Sequence, residues 1–179
     1  MLVTFRTWLR DDTATTAVEF SLIAIPFFTL ILSIIELGLM FSAATMLEGA
    51  TGKASRLVRT GQIQQAAADA ASQEQLFRDE LCRRAVVLID CNEIEVEAIN
   101  VGSFAGGGVA AEFDGDGNLV SSGFDAGGVS SVILIRTAYR YTLMTPFVNL
   151  LLGESGTGTR YFLSTVALQT EPYEFDVNG

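Results

Sequence analysis

The chain has no histidine, two cysteines, three prolines and one tryptophan among its 179 residues. Without histidine, Ser/His/Asp and Cys/His nucleophile arrangements are excluded. Two thiols without an imidazole also argue against a zinc centre. Basic residues are scarce, with 11 Lys and Arg against 21 Asp and Glu, a net charge of −10. Residues 1–60 balance five basic against five acidic side chains, so the excess lies in residues 61–179, with six against sixteen. Such a surface repels phosphate backbones and speaks against nucleic-acid binding. No carboxylate pair stands out from this acidic background, so no catalytic residue, cofactor or metal is expected.

Charge is also missing locally. Phe20 to Ile35 carries none, and Ala17 to Leu47 carries only Glu19 and Glu36. About 20 predominantly apolar residues suffice to cross the hydrocarbon core, so residues 15–47 read as one transmembrane helix. A removed secretory signal would also begin with basic residues (Arg6, Arg10) and end on small ones (Ser42-Ala43-Ala44). This apolar run is too long for that, and Pro26 and Glu36 interrupt it. Pro26 lacks an N–H and is a candidate kink. Lys53, Arg56 and Arg59 on the far flank offset Arg6 and Arg10, so basic residues alone do not set the orientation. The large acidic segment with its paired cysteines favours a cytoplasmic N-terminus and a C-terminal part outside the cytoplasm.

Ala43, Leu47, Ala50, Ala54 and Leu57 recur at spacings of 4,3,4,3, a helix-packing face that continues past the membrane. It serves either the chain's own core or a neighbouring subunit, since small residues allow close approach. Gly49 and Gly52 weaken this helix, and Gly61 is placed to end it. A second helix is expected from a capping box at Ser72 and Gln75, with Leu76, Phe77, Leu81, Ala85 and Leu88 on one face. Cys82 and Cys91 either close a short disulfide loop in an exported domain or remain as buried thiols.

After Cys91 the period changes. Glu93 to Ala98 alternates, which predicts a strand with one wet face; Ser131–Leu143 and Arg160–Gln169 are further strands. Between the last two, Thr145 caps a short helix with Pro146 in its first turn. The expected fold is α+β: a long transmembrane helix running into a helical stalk, then a small, mainly antiparallel sheet. The units are a leader at 1–14, the transmembrane helix at 15–47, a stalk and second helix at 48–91, and a β-rich part at 92–179. A Gly/Asp loop at 102–128 reads as a mobile hairpin connection. Its Asp114-Gly115-Asp116-Gly117-Asn118 starts like a calcium loop, but Leu119 and Asp125 stand where Gly and Glu would be required. Gly153 to Gly158 has P-loop glycine spacing, but Thr159-Arg160 replaces the Lys-Ser/Thr, so it reads as a plain loop.

Glu19 opens the apolar run, either at headgroup level or in need of a partner. Its setting, Ala14-Thr15-Thr16-Ala17-Val18-Glu19-Phe20, resembles the processing site of type IV pilin-like precursors. The longer string TAVEFSLIAIPFFTLILSIIELGLMFSAATMLEGATGKASR resembles the TadE/TadG-type domain of tight-adherence (Flp, type IVc) pilus assembly proteins and minor pseudopilins. The shared pattern is AVEF, a proline within the apolar run, IIELG, and a small-residue helix leading to a basic cluster. Glu171-Pro172-Tyr173 and Phe77 to Cys91 resemble longer members less specifically. Ala14 stands where that family ordinarily has Gly.

The resemblance implies a pilin-like, inner-membrane protein cut between Ala14 and Thr15 by a prepilin peptidase. It implies that Glu19 pairs with a neighbouring subunit's N-terminal amine and sets register. Glu36, 17 residues on and about 25 Å along a helix, lies near the far interface or meets another helix of the assembly. Implied partners are sister minor pilins and the inner-membrane platform of the pilus, with the domain in the periplasm and a place in the filament left open. The other reading is an uncleaved, membrane-anchored periplasmic binding module using the acidic domain and Gly/Asp loop.

Overall fold

Helix α1, Thr15–Arg59, runs 45 residues without a break, about 68 Å at 1.5 Å per residue. The computed structural model describes residues 15–85, 88–115, 117–153 and 158–172. Pro26 lies inside the helix. Ser21, Thr29, Ser33 and Ser42 each return a hydroxyl hydrogen to the carbonyl four residues back. These bonds satisfy hydroxyls on an otherwise apolar surface. The helix ends at Gly61, whose φ of 74° is the left-handed conformation that glycine reaches without steric cost.

A short helix, α2 (Gln62–Ala66), turns the chain into α3, Ala70–Ala85. The α3 cap differs from the sequence expectation of Ser72 with Gln75. Asp69 caps the helix, its Oδ1 accepting the Ser72 N–H at 2.9 Å. Ala70 and Ala71 favour helix and carry the first turn back to this stronger acceptor. Phe77, Leu81 and Ala85 are buried, whereas Leu76 remains at the surface.

Three antiparallel strands follow in the order β1-β2-β3: β1 (Ile94–Asn100), β2 (Val132–Thr142) and β3 (Thr159–Gln169). Pairing is continuous from Ile94↔Tyr139 to Asn100↔Ile133, and from Val132↔Gln169 to Thr142↔Thr159. Between β2 and β3 lies α4, Pro146–Leu152, with Thr145 at its N-cap. One sheet face packs on α1 and α3. Ala43, Leu47, Ala50, Ala54 and Val58 of α1 meet Phe77, Leu81, Ile94, Val96, Ile133 and Ile135 in a single core. At its centre Thr51 and Thr137 join hydroxyl to hydroxyl at 2.5 Å, both fully buried.

Over β1 and Arg136 the other sheet face is covered as well, which corrects the expectation of a wet face on β1, whereas Leu163, Thr165 and Ala167 on the β3 part of that face are exposed. Glu97 is buried and pairs with Arg136 of β2 at 2.8 Å. The Gly/Asp segment supplies the cover. Leu119 is buried and gives its N–H to Glu95, and Ser122 gives its N–H to Glu97. Phe124 and Ala126 reach into the main core, and Gly123 and Asp125 exchange backbone hydrogen bonds with Ala98 along the outer edge of β1. The part of the connection from Leu119 to Ala126 is thus anchored on β1 and closes a sheet edge, while most of its other described residues are exposed.

Candidate functional site

Exposure divides α1 into two parts. From Val18 to Phe41 most large apolar side chains are bare, including Phe20, Leu22, Ile23, Phe28, Leu32 and Ile35. Beyond Phe41 the outward positions are Ser42, Thr45, Glu48, Gly49, Gly52, Lys53, Arg56 and Arg59. The apolar sheath therefore covers 24 residues, about 36 Å of helix, enough for a hydrocarbon core of roughly 30 Å. Exposed apolar surface this extensive cannot face water alone. Glu19 lies exposed one turn into the described helix. It has no partner among the described residues, so any counter-charge must come from outside them. Ala14, and with it the candidate cut before Thr15, lies outside the described residues, as do the leader 1–14, Asp116, residues 154–157 and Tyr173.

Glu36 behaves differently. It is 5% exposed, and its carboxylate turns into the chain's own head domain. Oε1 accepts the Met144 N–H, and Oε2 accepts the Thr145 N–H at 2.7 Å. These amides precede α4, where a helix start leaves N–H groups without intrahelical acceptors. A negative group there also complements the helix dipole. Around this contact Met40, Leu143 and Val148 form a second buried cluster, with Leu37, Tyr141 and Leu152 packed against it. Glu36 thus clasps the head to the helix just below the end of the apolar sheath. The sequence marked both ends of this contact, an acid in an apolar run and a Thr-Pro helix start. Nothing in either marked them as partners 108 residues apart.

The stripe Ala43, Leu47, Ala50 and Ala54 is buried to 2% or less within the chain's own core. Leu57 is only partly buried, and Val58 occupies the fully buried place in the last turn. The other side of this stretch carries Gly49 and Gly52, where an added Cβ would have no atom within 4 Å. The surface left for a neighbour is therefore opposite the stripe.

Cys82 and Cys91 are bonded, with Cα atoms 5.6 Å apart, tying the end of α3 to the start of β1. Asp90 caps the intervening turn by accepting the Asn92 N–H at 2.9 Å. Buried Glu97 also accepts the Ser122 N–H at 2.8 Å. Burial raises its pKa, but the Ser122 N–H and the Arg136 guanidinium outweigh it, leaving the carboxyl below its ordinary value. Exposed Asp69 is lowered as well, chiefly by the Ser72 N–H. In the calcium-like stretch, Asp114 accepts hydrogen bonds from the backbone and side chain of Asn118 at 2.7 and 2.8 Å. Its carboxylate closes a turn, and among the described residues no group of three or more Cys, Asp or Glu converges as a metal site.

Neither a curated protein nor a solved structure matches the chain. The family of TadE-like proteins matches residues 14–56, the stretch holding Glu19, Pro26, the Glu36 clasp and the small-residue stripe as far as Ala54.

Proposed function

We propose that the chain is a minor pilin or assembly component of a tight-adherence type IV pilus, held in the inner membrane by α1. The single observation that carries this reading is the coincidence of the TadE-like match over residues 14–56 with a bare apolar helix that opens on an acid with no partner among the described residues. The helix acts by lateral packing in the bilayer, with the head in the periplasm, where the Cys82–Cys91 bond persists. A prepilin peptidase cuts between Ala14 and Thr15, and the new amine of one subunit pairs with Glu19 of the next. In hydrocarbon an unpaired carboxylate is costly, so the pair selects one axial register among the many that apolar contacts would tolerate. Sister minor pilins and the inner-membrane platform are the partners. Glu36 is engaged with Met144 and Thr145, so its part is to fix the head on the helix rather than to contact a neighbour.

The test is the N-terminus of the protein isolated from membranes, together with a Glu19→Ala variant. Thr15 as the first residue, with loss of surface pili at unchanged membrane levels of the variant, is the expected result. An intact Met1 together with normal piliation of Glu19→Ala would overturn it.

A further inference from the structure

Helix α4 has an apolar face that the head does not cover. Val148 is buried on Met40 and Leu143, whereas Met144, Phe147, Leu150 and Leu151 are 85%, 50%, 81% and 64% exposed. No charged residue occurs between Leu143 and Gly153. Single apolar side chains on a surface need no explanation, but four on one short segment form a patch. Its position says what covers it. The Glu36 contacts hold Met144 and Thr145 level with Glu36. The sheath of α1 continues five residues further to Phe41, about 7.5 Å along the axis. With Val148 in one cluster with Met40 and Leu37, α4 therefore lies beside the last turns of that sheath, on the membrane side of the level where it ends.

We propose that α4 is a second membrane contact, an interfacial helix lying at the boundary of headgroups and acyl chains in the leaflet nearest the head. Met144, Phe147, Leu150 and Leu151 face the lipid. Helices of this kind sink about 5–10 Å below the headgroups, the depth that the step from Glu36 to Phe41 provides. The Glu36 clasp then has a second consequence. It satisfies the amides ahead of α4 where water is scarce, and fixes the head against the bilayer at two points instead of one.

This inference rests on α1 spanning the bilayer, and the experiment separates the two. The full chain, in a Trp8→Phe background, is reconstituted into phosphatidylcholine bilayers with and without bromine on the acyl chains. Tryptophan emission is read for Leu150→Trp, for Phe28→Trp on α1 and for Thr165→Trp on the outer face of β3. The expected result is quenching at 28 and 150 but not at 165, with position 150 quenched most by bromine close to the headgroups. Quenching at 28 without quenching at 150 overturns the α4 contact and leaves the span standing. That holds even if emission at 150 is blue-shifted, since a protein neighbour would then cover the face. Quenching at neither position overturns both.

Discussion

Glu97 and Glu36 are both buried acids, and their surroundings assign them different work. Glu97 is 2% exposed and is held by Arg136 at 2.8 Å and the Ser122 N–H at 2.8 Å. Its pKa is depressed from the ordinary 4.5, so the native state favours the ionised form. The stability it contributes is full above about pH 4.5 and is lost as pH falls through the lower native value. Replacing it by Gln leaves Arg136 buried without a counter-ion, at a cost of about 3–5 kcal/mol at neutral pH. Thermal unfolding of the detergent-solubilised chain should show that gap at pH 7 and a narrower one once the pH has fallen through the lowered native value, where the wild type also loses the pair. A gap independent of pH would mean that packing, not charge, carries the effect. In sequence, Glu93 to Ala98 shows the period of a half-buried strand. That period cannot tell a wet face from one covered by a loop whose only signals are Gly and Asp. Glu36 was visible as an acid in an apolar run, but its acceptor role depends on a turn formed after two intervening strands.

Among the elements, α1 was the most legible, because a charge-free run and a 4,3,4,3 stripe are local and periodic. The start of the sheath, the buried stripe and the Gly61 stop follow from neighbours within a few residues. The capping box at Ser72 places the start of α3 one turn late, because Asp69 and Ser72 are both good caps and the alanines between them leave the choice to local hydrogen bonding. The outer face of α1 carries its own prediction. Gly49 and Gly52 are exposed and have open space where a Cβ would go. Ala at either position should therefore stabilise the isolated protein by about 0.5–1 kcal/mol, the usual cost of Gly inside a helix. If neighbouring helices approach along this face, the same substitutions should reduce piliation while Tm rises. Thermal unfolding read beside pilus counts checks both; a fall in Tm would show that these positions are crowded in the isolated chain.

At the scale of the molecule, the chain joins two solvents at one level if α1 spans the bilayer as proposed. Among the described residues the main core begins at Ala43, while Leu37 and Met40 serve only the smaller cluster under α4. The head should therefore keep its fold when the apolar part of α1 is removed, and lose order only at its membrane end. A fragment of residues 42–179 retains the stripe, the Thr51–Thr137 bond, the disulfide and the whole sheet. It loses the Glu36 acceptor, so the amides of Met144 and Thr145 lose their partner, a penalty of about 1–3 kcal/mol concentrated at α4. Hydrogen exchange should find β2 as protected in the fragment as in the full chain. Amides from Met144 to Leu152 should exchange far faster. Thiol titration should find no free cysteine. Uniformly lost protection would show that the apolar part of α1 is needed to fold the head. Unchanged protection at α4 would show that Glu36 does not hold it, and that the clasp between head and membrane helix must be sought in the packing of Leu37 and Met40.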